Sequence, residues 1–414
     1  MTKSRPLSST HWLTMDIFLT VLIFIYCINF FNVGVYVPLV TLPLVLIYLL
    51  KGKFSKTFYL TAFILFGFFM TYSIFLYIYQ YSSNISILGK LLYPTMFFII
   101  GNFLVEEDLD YKKTYRSLYT IIIAFTIYGV LSTLKATLIY GNGSVTARET
   151  IGRIGVDIWT NNFISATALN SSLAFGLSLL AILFIKDKYL LNSNKIKLIS
   201  FVCFFASTYA LIQLGNRTGI IIIILSFFIT LLFSDKLNKR KLVSILLVML
   251  TFIILSFLYN INTFGIKSIV ENSYIFNRFK ETNLEEDPRV AAWKATFIGL
   301  FENPMGGKET YTPLFSAHNL WLDVGYEAGL IPFTLLVAFT LISLISVITV
   351  IRLDFPPLLK GLIVALYSSF IATFFVEPVL IGLNEYFTIF CLILGIVQRL
   401  IFDKKNKKRI RYIK

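Results

Sequence analysis

The sequence is poor in charged residues and in cysteine. Only 14% of its 414 residues are charged, whereas about a quarter of the residues in a typical soluble domain are. The three cysteines, Cys27, Cys203 and Cys391, all lie in apolar stretches, and their spacing fits neither a disulfide framework nor a metal site. The chain also lacks a glycine-rich phosphate-binding loop. These absences argue against a disulfide-stabilised secreted domain, a cysteine-ligated metalloprotein and a P-loop enzyme.

What the sequence has in excess is apolar surface. Hydrophobic residues make up 57% of the chain, phenylalanine alone contributes 41 residues, and the mean hydropathy is +0.77. A water-soluble fold cannot bury so much apolar surface, so we expect lipid to be the solvent. The sequence therefore predicts an all-α polytopic membrane protein, with residues 1–414 forming a single integral membrane domain.

A membrane-spanning helix needs about 20 mostly apolar residues, and the sequence contains about 12 candidate transmembrane helices. They cover residues 13–33, 35–50, 57–79, 86–104, 117–140, 163–185, 197–214, 217–233, 242–262, 330–351, 358–377 and 384–402. One long connection, 263–317, separates two of them. Connections of this length are usually functional or disordered.

The distribution of basic residues predicts the orientation of the chain. The net charge is +15, and most of the 37 lysines and arginines lie in cytoplasmic segments if the N-terminus is cytoplasmic. Such an excess is typical of the cytoplasmic loops of membrane proteins. Both termini are therefore predicted to be cytoplasmic, with 403–414 as a basic tail at the lipid surface. Residues 263–317 then form a large extracytoplasmic loop. The membrane class explains the positive charge without nucleic acid as a partner.

Basic residues on the predicted outer face are exceptions to this pattern, and they include Arg148, Arg153, Arg217 and Arg289. Arg217 lies in a short turn between two apolar runs, where Asn216 can cap the helix that follows. A helix N-terminus favours anions, and a guanidinium group fits phosphate oxygens with two parallel hydrogen bonds. An arginine that reaches lipid headgroups explains the position equally well.

Of the two histidines, His318 is on the predicted outer face and His11 is in the cytoplasmic lead. An imidazole can give or take a proton near neutral pH, although a lone histidine is more often structural than catalytic. A helix over 318–329 would place Glu327 about half a rotation away from His318. Glu327 is then expected to hold a backbone amide or an arginine instead.

The predicted outer loop contains a second pattern. Pro288 suits the first turn of a helix, in which Arg289 and Trp293, four residues apart, would share one face. Asn303-Pro304, followed by two glycines, would end this helix. A short amphipathic helix lying on the membrane surface explains the same pattern.

Three stretches together resemble the O-antigen ligase and Wzy-type polysaccharide polymerase family of bacterial envelope proteins. GNRTG resembles the family's small-residue and arginine motif at a helix start, and DPRVAAWKATFIGLFENPMGG resembles its arginine-aromatic segment in the large outer loop. AHNLWLDVGYEAGLIPF resembles its His-Asn motif that ends in Glu-x-Gly. The resemblance covers residues 215–334. The first 210 residues resemble the family only in hydropathy pattern, and the outer loop is small for the family.

The resemblance implies a metal-independent, inverting membrane glycosyltransferase of the bacterial inner membrane, without a cofactor. Its donor would be an undecaprenyl-pyrophosphate-linked oligosaccharide, and its acceptor a growing glycan. Chain-length regulator and flippase proteins would be partners. His318 corresponds to the proposed base or acceptor-positioning residue, and Arg217 and Arg289 to pyrophosphate-binding arginines. The supporting residues would be Asn319, Glu327, Asn216, Arg148 and Arg153.

Three functions remain open at this point. The favoured one is polymerisation of repeat units into capsule, exopolysaccharide or O-antigen. The second is ligation of the glycan to a lipid A-core acceptor by an O-antigen ligase. The third is transport, because a transporter or flippase of lipid-linked glycan also suits twelve helices. Ion-coupled transporters usually keep charged residues near the membrane midplane, and the predicted helices have almost none there.

Overall fold

The computed structural model describes residues 9–81, 84–105, 111–140, 154–185, 193–233 and 288–413. The predicted span 242–262, the first part of the predicted loop 263–317, Arg148 and Arg153 lie outside these residues. The described chain is mostly helical. Its helices are α1 (Ser9–Cys27), α2 (Val37–Lys51), α3 (Lys56–Ile78), α4 (Asn84–Phe103), α5 (Tyr111–Tyr140), α6 (Ala166–Ser178), α7 (Leu180–Phe184), α8 (Asn194–Leu214), α9 (Arg217–Phe233), α10 (Pro288–Glu302), α11 (Leu320–Ala328), α12 (Leu330–Arg352), α13 (Pro357–Val376), α14 (Val379–Gly382) and α15 (Asn384–Ile413).

Seven helical stretches within the described residues are long and apolar enough to cross a membrane. They are Lys56–Ile78, Tyr111–Tyr140, Ala166–Phe184, Asn194–Leu214, Leu330–Arg352, Pro357–Val376 and Asn384–Lys407. Each coincides with a predicted span. Four further predicted spans contain shorter apolar helices, at Ile17–Cys27, Val37–Lys51, Leu92–Phe103 and Arg217–Phe233. The multi-pass membrane class is therefore supported, while the total of twelve spans stays a prediction.

The chain divides into two compact units. The first unit comprises Met1–Tyr128, Trp293–Asp354 and Phe374–Lys414, and the second comprises Gly129–Ala292 and Phe355–Thr373. Nothing in the apolar pattern of the sequence marks these boundaries, because three of them fall inside the continuous helices α5, α10 and α13.

The centre of the first unit is the packing of α4 against α15. A Cβ atom added to Gly101 would lie 1.9 Å from the carbonyl oxygen of Leu392, and one added to Gly395 would lie 2.0 Å from that of Phe98. Glycine at these two positions therefore lets the two backbones touch. Small residues serve this purpose in many membrane helix pairs, where lipid gives no hydrophobic drive for association.

Two polar side chains of α15 have partners inside the first unit. Gln398 donates to the hydroxyl of Thr61 at 2.7 Å. Arg399, at the start of the basic C-terminal run, is buried and forms an ion pair with Asp403 at 3.0 Å. It also donates to the backbone carbonyl of Lys53 at 3.0 Å. Arg399 thus stabilises the packing of α15 as well as contributing to the charge pattern.

The second unit contains α6 to α9 and a two-stranded antiparallel hairpin. Strands β1 (Ile154–Val156) and β2 (Phe163–Ser165) pair with Ile154 opposite Ser165. Helix α6 follows β2 directly and packs against α8 and α9. Its N-cap is Ser165, whose hydroxyl accepts from the backbone N–H of Ala168. The last residue of β2 is therefore also the cap of α6.

Candidate functional site

His318 lies in a tight turn, here called the His318 turn (residues 316–319), just before α11. The expectation of a helix over 318–329 is wrong at its start, because α11 begins at Leu320. Asn319 is its N-cap, and the side-chain oxygen accepts from the backbone N–H of Leu322 at 3.2 Å. His318 has a φ of +51°, a left-handed conformation in which histidine, asparagine and aspartate are the more frequent side chains.

Asp323, on α11, holds the backbone on both sides of His318. Its Oδ1 accepts from the N–H of Ala317 at 2.7 Å, and its Oδ2 accepts from the N–H of Asn319 at 3.2 Å. The His318 N–H donates to the hydroxyl of Ser316 at 3.3 Å. These hydrogen bonds hold the backbone of the turn, and the imidazole packs edge-on against Phe315, with 5.0 Å between the ring centroids.

Trp293 connects α10 to the His318 turn. Its indole Nε1 donates to the carbonyl oxygen of Ala317 at 2.7 Å. The predicted helix over this segment is confirmed, since α10 begins at Pro288 and ends at Glu302. Arg289 lies in its first turn, half-buried and four residues before Trp293. The arginine-aromatic motif and the His-Asn motif, separate in sequence, are therefore joined by a direct hydrogen bond.

Glu327 is buried near the end of α11, and both of its carboxylate oxygens have partners. Tyr72, on α3, donates its hydroxyl to Oε2, and Lys308 pairs with Oε1 at 2.9 Å. The expectation that Glu327 holds a backbone amide or an arginine is therefore wrong, although it does serve partners other than His318.

The glycines of the Asn-Pro-Met-Gly-Gly and Glu-x-Gly segments are required by close backbone packing. Gly306 and Gly329 have φ values of +78° and +83°, and a Cβ on Gly306 would lie 2.5 Å from the nitrogen of Gly329. The N–H of Leu330 donates to the carbonyl oxygen of Pro304 at 2.8 Å. These two motif segments therefore form one interlocked structure that supports the C-terminal end of α11.

The pKa of Asp323 is raised to about 7 from its ordinary value of 3.8. Burial is the largest cause, and the negative charge of Glu327 adds to it. The N–H groups of Ala317 and Asn319, together with Lys308, act in the opposite direction and lower the pKa. Asp323 therefore exchanges its proton near neutral pH, directly beside the His318 turn.

We predict that Asp323→Asn destabilises the protein more at pH 5 than at pH 8. Because the pKa of Asp323 is higher in the folded state, its contribution to stability is full below 3.8 and is lost as the pH rises to about 7. The amide also leaves the N–H of Asn319 without an acceptor, which costs about 1–3 kcal/mol at either pH. Thermal unfolding of the purified protein at both pH values measures the difference.

Asp354→Asn is the matched control for this prediction. The Asp354 side chain is fully exposed in the same unit, where it forms a surface ion pair with Lys404 at 3.8 Å, so the substitution should have little effect on stability at either pH. A cost of Asp323→Asn that grows with pH would contradict the assigned pKa shift.

The second unit contains the predicted arginine at a helix start. Gly215 ends α8 with a φ of +57°, and α9 begins at Arg217. The predicted capping by Asn216 is confirmed, because its side-chain oxygen accepts from the N–H of Thr218 at 3.0 Å. Arg217 is half-buried in the first turn of α9. It therefore lies where the dipole of a 17-residue helix favours an anion.

The structure thus groups the predicted site residues locally. His318, Asn319 and Glu327 lie in or beside α11 of the first unit, Asn216 and Arg217 are adjacent in the second unit, and Arg289 is in the first turn of α10. Asp323 was missed by sequence reasoning. The sequence feature that could have indicated it is its position four residues after Asn319, a favourable helix cap. From there its carboxylate can reach the backbone N–H groups around Asn319.

Comparison with known proteins adds no further assignment. No protein-family model matches the chain, and a search of curated proteins finds no match. The three motifs and the local geometry of their residues therefore remain the basis for assigning a function.

Proposed function

We propose that the chain is a membrane glycosyltransferase of the O-antigen ligase and Wzy-type polymerase class. It polymerises undecaprenyl-pyrophosphate-linked oligosaccharide repeat units into surface polysaccharide on the outer face of the bacterial inner membrane. The observation that carries the proposal is the His318 turn, a histidine held in a left-handed conformation by Asp323 and by Trp293 of the arginine-bearing helix α10. Such pre-organisation of a reactive group is typical of catalytic sites.

In the proposed reaction, His318 removes the proton from an acceptor hydroxyl. The hydroxyl oxygen forms a bond to the anomeric carbon of the donor sugar, and the bond from that carbon to the pyrophosphate oxygen breaks. The electron pair of this bond leaves with the pyrophosphate, whose negative charge is stabilised by Arg217 and Arg289. In-line attack inverts the anomeric configuration. The two guanidinium groups supply the positive charge, so the reaction needs no cofactor or metal.

The proposal includes a membrane arrangement. Twelve helices cross the inner membrane, both termini and the tail 403–414 are cytoplasmic, and the loop 263–317 is extracytoplasmic. The excess of lysine and arginine in the segments assigned to the cytoplasm supports this orientation. The same arrangement puts Arg217, Arg289 and His318 on the outer side, where a flipped lipid-linked donor is available.

The test is an assay with the purified full-length protein in lipid nanodiscs. A lipid-pyrophosphate oligosaccharide is supplied alone, or together with a lipid A-core acceptor, in the presence of a chelator. A ladder of longer lipid-linked glycans from the first mixture is the expected result. Product that forms only with the lipid A-core acceptor would replace polymerisation with ligation. Movement of the lipid-linked glycan across a vesicle membrane, without a new glycosidic bond, would replace both with transport.

A further inference from the structure

We infer that Asn170, on α6, is a ligand of the pyrophosphate group that Arg217 binds at the N-terminus of α9. This inference rests on the proposed function and deepens it, because Asn170 belongs to none of the three sequence motifs. Both residues are part of the second unit. The ligand chemistry is a phosphate oxygen, whether it belongs to a prenyl pyrophosphate or to free pyrophosphate.

The first observation is a pair of buried side-chain amides. Asn170 has 0% of its surface exposed, and neither its Oδ1 nor its Nδ2 has a hydrogen-bond partner among the residues that the structure describes. Asn216 is 3% exposed. Its Oδ1 accepts from Thr218, but its Nδ2 has no partner within the same described residues. Buried amides are normally satisfied, so each of these calls for an explanation.

The second observation is where the Asn170 amide lies. A Cβ atom added to Gly219 would be 3.1 Å from Oδ1 of Asn170 and 1.5 Å from Cδ1 of Leu211. Helices α6, α8 and α9 therefore meet at Gly219, in the first turn of α9. Glycine at this position allows the Asn170 amide to reach a helix end whose first N–H groups have no partner within the helix.

The direction of the helices strengthens the case. Asn170 is the fifth residue of α6 and Gly219 is the third residue of α9, so the two helices have their N-terminal ends at the same end of the bundle. Their dipoles both favour an anion there. Arg217 contributes a full positive charge, and the Nδ2 groups of Asn170 and Asn216 contribute neutral donors. A phosphate group, with several acceptor oxygens, matches this set of donors.

A purely structural role explains Asn170 less well. Leucine has the same number and branching of side-chain heavy atoms and no polar atoms, so it would occupy the position without burying an unsatisfied amide. Asn170 faces a helix N-terminus, and its unsatisfied amide lowers the stability of the fold. Both properties are expected of a residue that is retained for binding.

The experiment compares Asn170→Leu with the wild-type protein in neutral-lipid nanodiscs. Binding of undecaprenyl pyrophosphate and of inorganic pyrophosphate is measured together with thermal unfolding. We expect Asn170→Leu to weaken binding of both by about 10- to 100-fold, the range for a lost hydrogen bond to a charged group. Its unfolding temperature should be equal to or higher than that of the wild type. Asn170→Ala, which cannot clash, should show the same loss of binding.

The matched control is Asn194→Leu. Asn194 is exposed at the first residue of α8, at the opposite end of that helix from Gly215, and its substitution should leave binding unchanged. Unchanged binding in both Asn170 variants would overturn the inference and make Asn170 a packing residue. In another outcome, the wild type binds only inorganic pyrophosphate, with weaker binding in the Asn170 variants. That result would support the anion site at Asn170 and contradict the proposed lipid-linked donor. A wild type that binds neither compound overturns both.

Discussion

His318→Asn is expected to reduce turnover by about two to four orders of magnitude, the usual contribution of general-base catalysis. Asparagine tolerates the left-handed conformation of residue 318, and the bonds from Asp323 and Trp293 that hold the turn do not involve the imidazole. The substitution therefore removes the base and keeps these backbone hydrogen bonds. His318→Ala should give the same loss of turnover. Binding of the lipid-pyrophosphate donor should stay close to that of the wild type in both variants, as measured by direct titration.

His11→Ala is the control, because His11 lies in the predicted cytoplasmic lead and its substitution should leave turnover unchanged. A His318 variant that weakens donor binding and spares turnover would assign the histidine to the pyrophosphate site. The base would then be sought first at Asp323, whose pKa is raised to about 7, and next at Glu327. Loss of wild-type activity on addition of a chelator would contradict the metal-free mechanism.

Helix positions were predictable wherever the signals are local. The predicted span 217–233 coincides with α9 (Arg217–Phe233) because an apolar run follows a glycine and a capping asparagine. Pro288 and the Asn303-Pro304 pair likewise predicted the bounds of α10. Each of these signals depends on residues within one turn of the helix end, so a single sequence contains all the information needed.

The start of α11 was misplaced although a local signal was present. Asn319 is a favourable N-cap, and recognising it would have moved the helix start to Leu320 and left His318 outside the helix. The error mattered, because it hid the left-handed conformation of His318 and the clamp that Asp323 forms around it.

Contacts between distant segments were not predictable from the sequence. Tyr72 and Glu327 are 255 positions apart, and no periodicity in either segment links them. The approach of Asn170 to Gly219 likewise depends on the packing of α6 against α9. The nine-residue spacing between His318 and Glu327 correctly predicted that Glu327 has a partner other than His318. Identifying Lys308 and Tyr72 as its partners required the tertiary structure.

Arg217→Ala and Arg289→Ala are each expected to abolish product formation while the protein still inserts in the membrane. The departing pyrophosphate carries several negative charges, and its charge increases as the bond to the anomeric carbon breaks. Each guanidinium stabilises this increasing charge, so the loss of one of them raises the barrier to the reaction. Arg→Lys at either position should recover little activity. Lysine keeps the charge but lacks the planar pair of donors that matches phosphate oxygens. Single-turnover rates with a lipid-pyrophosphate donor measure the effect.

The control for both arginines is Arg116→Ala, because Arg116 is exposed in the second turn of α5 and belongs to the predicted cytoplasmic side. Its loss should leave turnover unchanged. The two lysine variants decide between the interpretations of the arginines. An arginine that only reaches lipid headgroups interacts as a point charge, and lysine replaces it without loss. Full activity of Arg217→Lys or Arg289→Lys would therefore identify that residue as a membrane anchor and remove it from the pyrophosphate site.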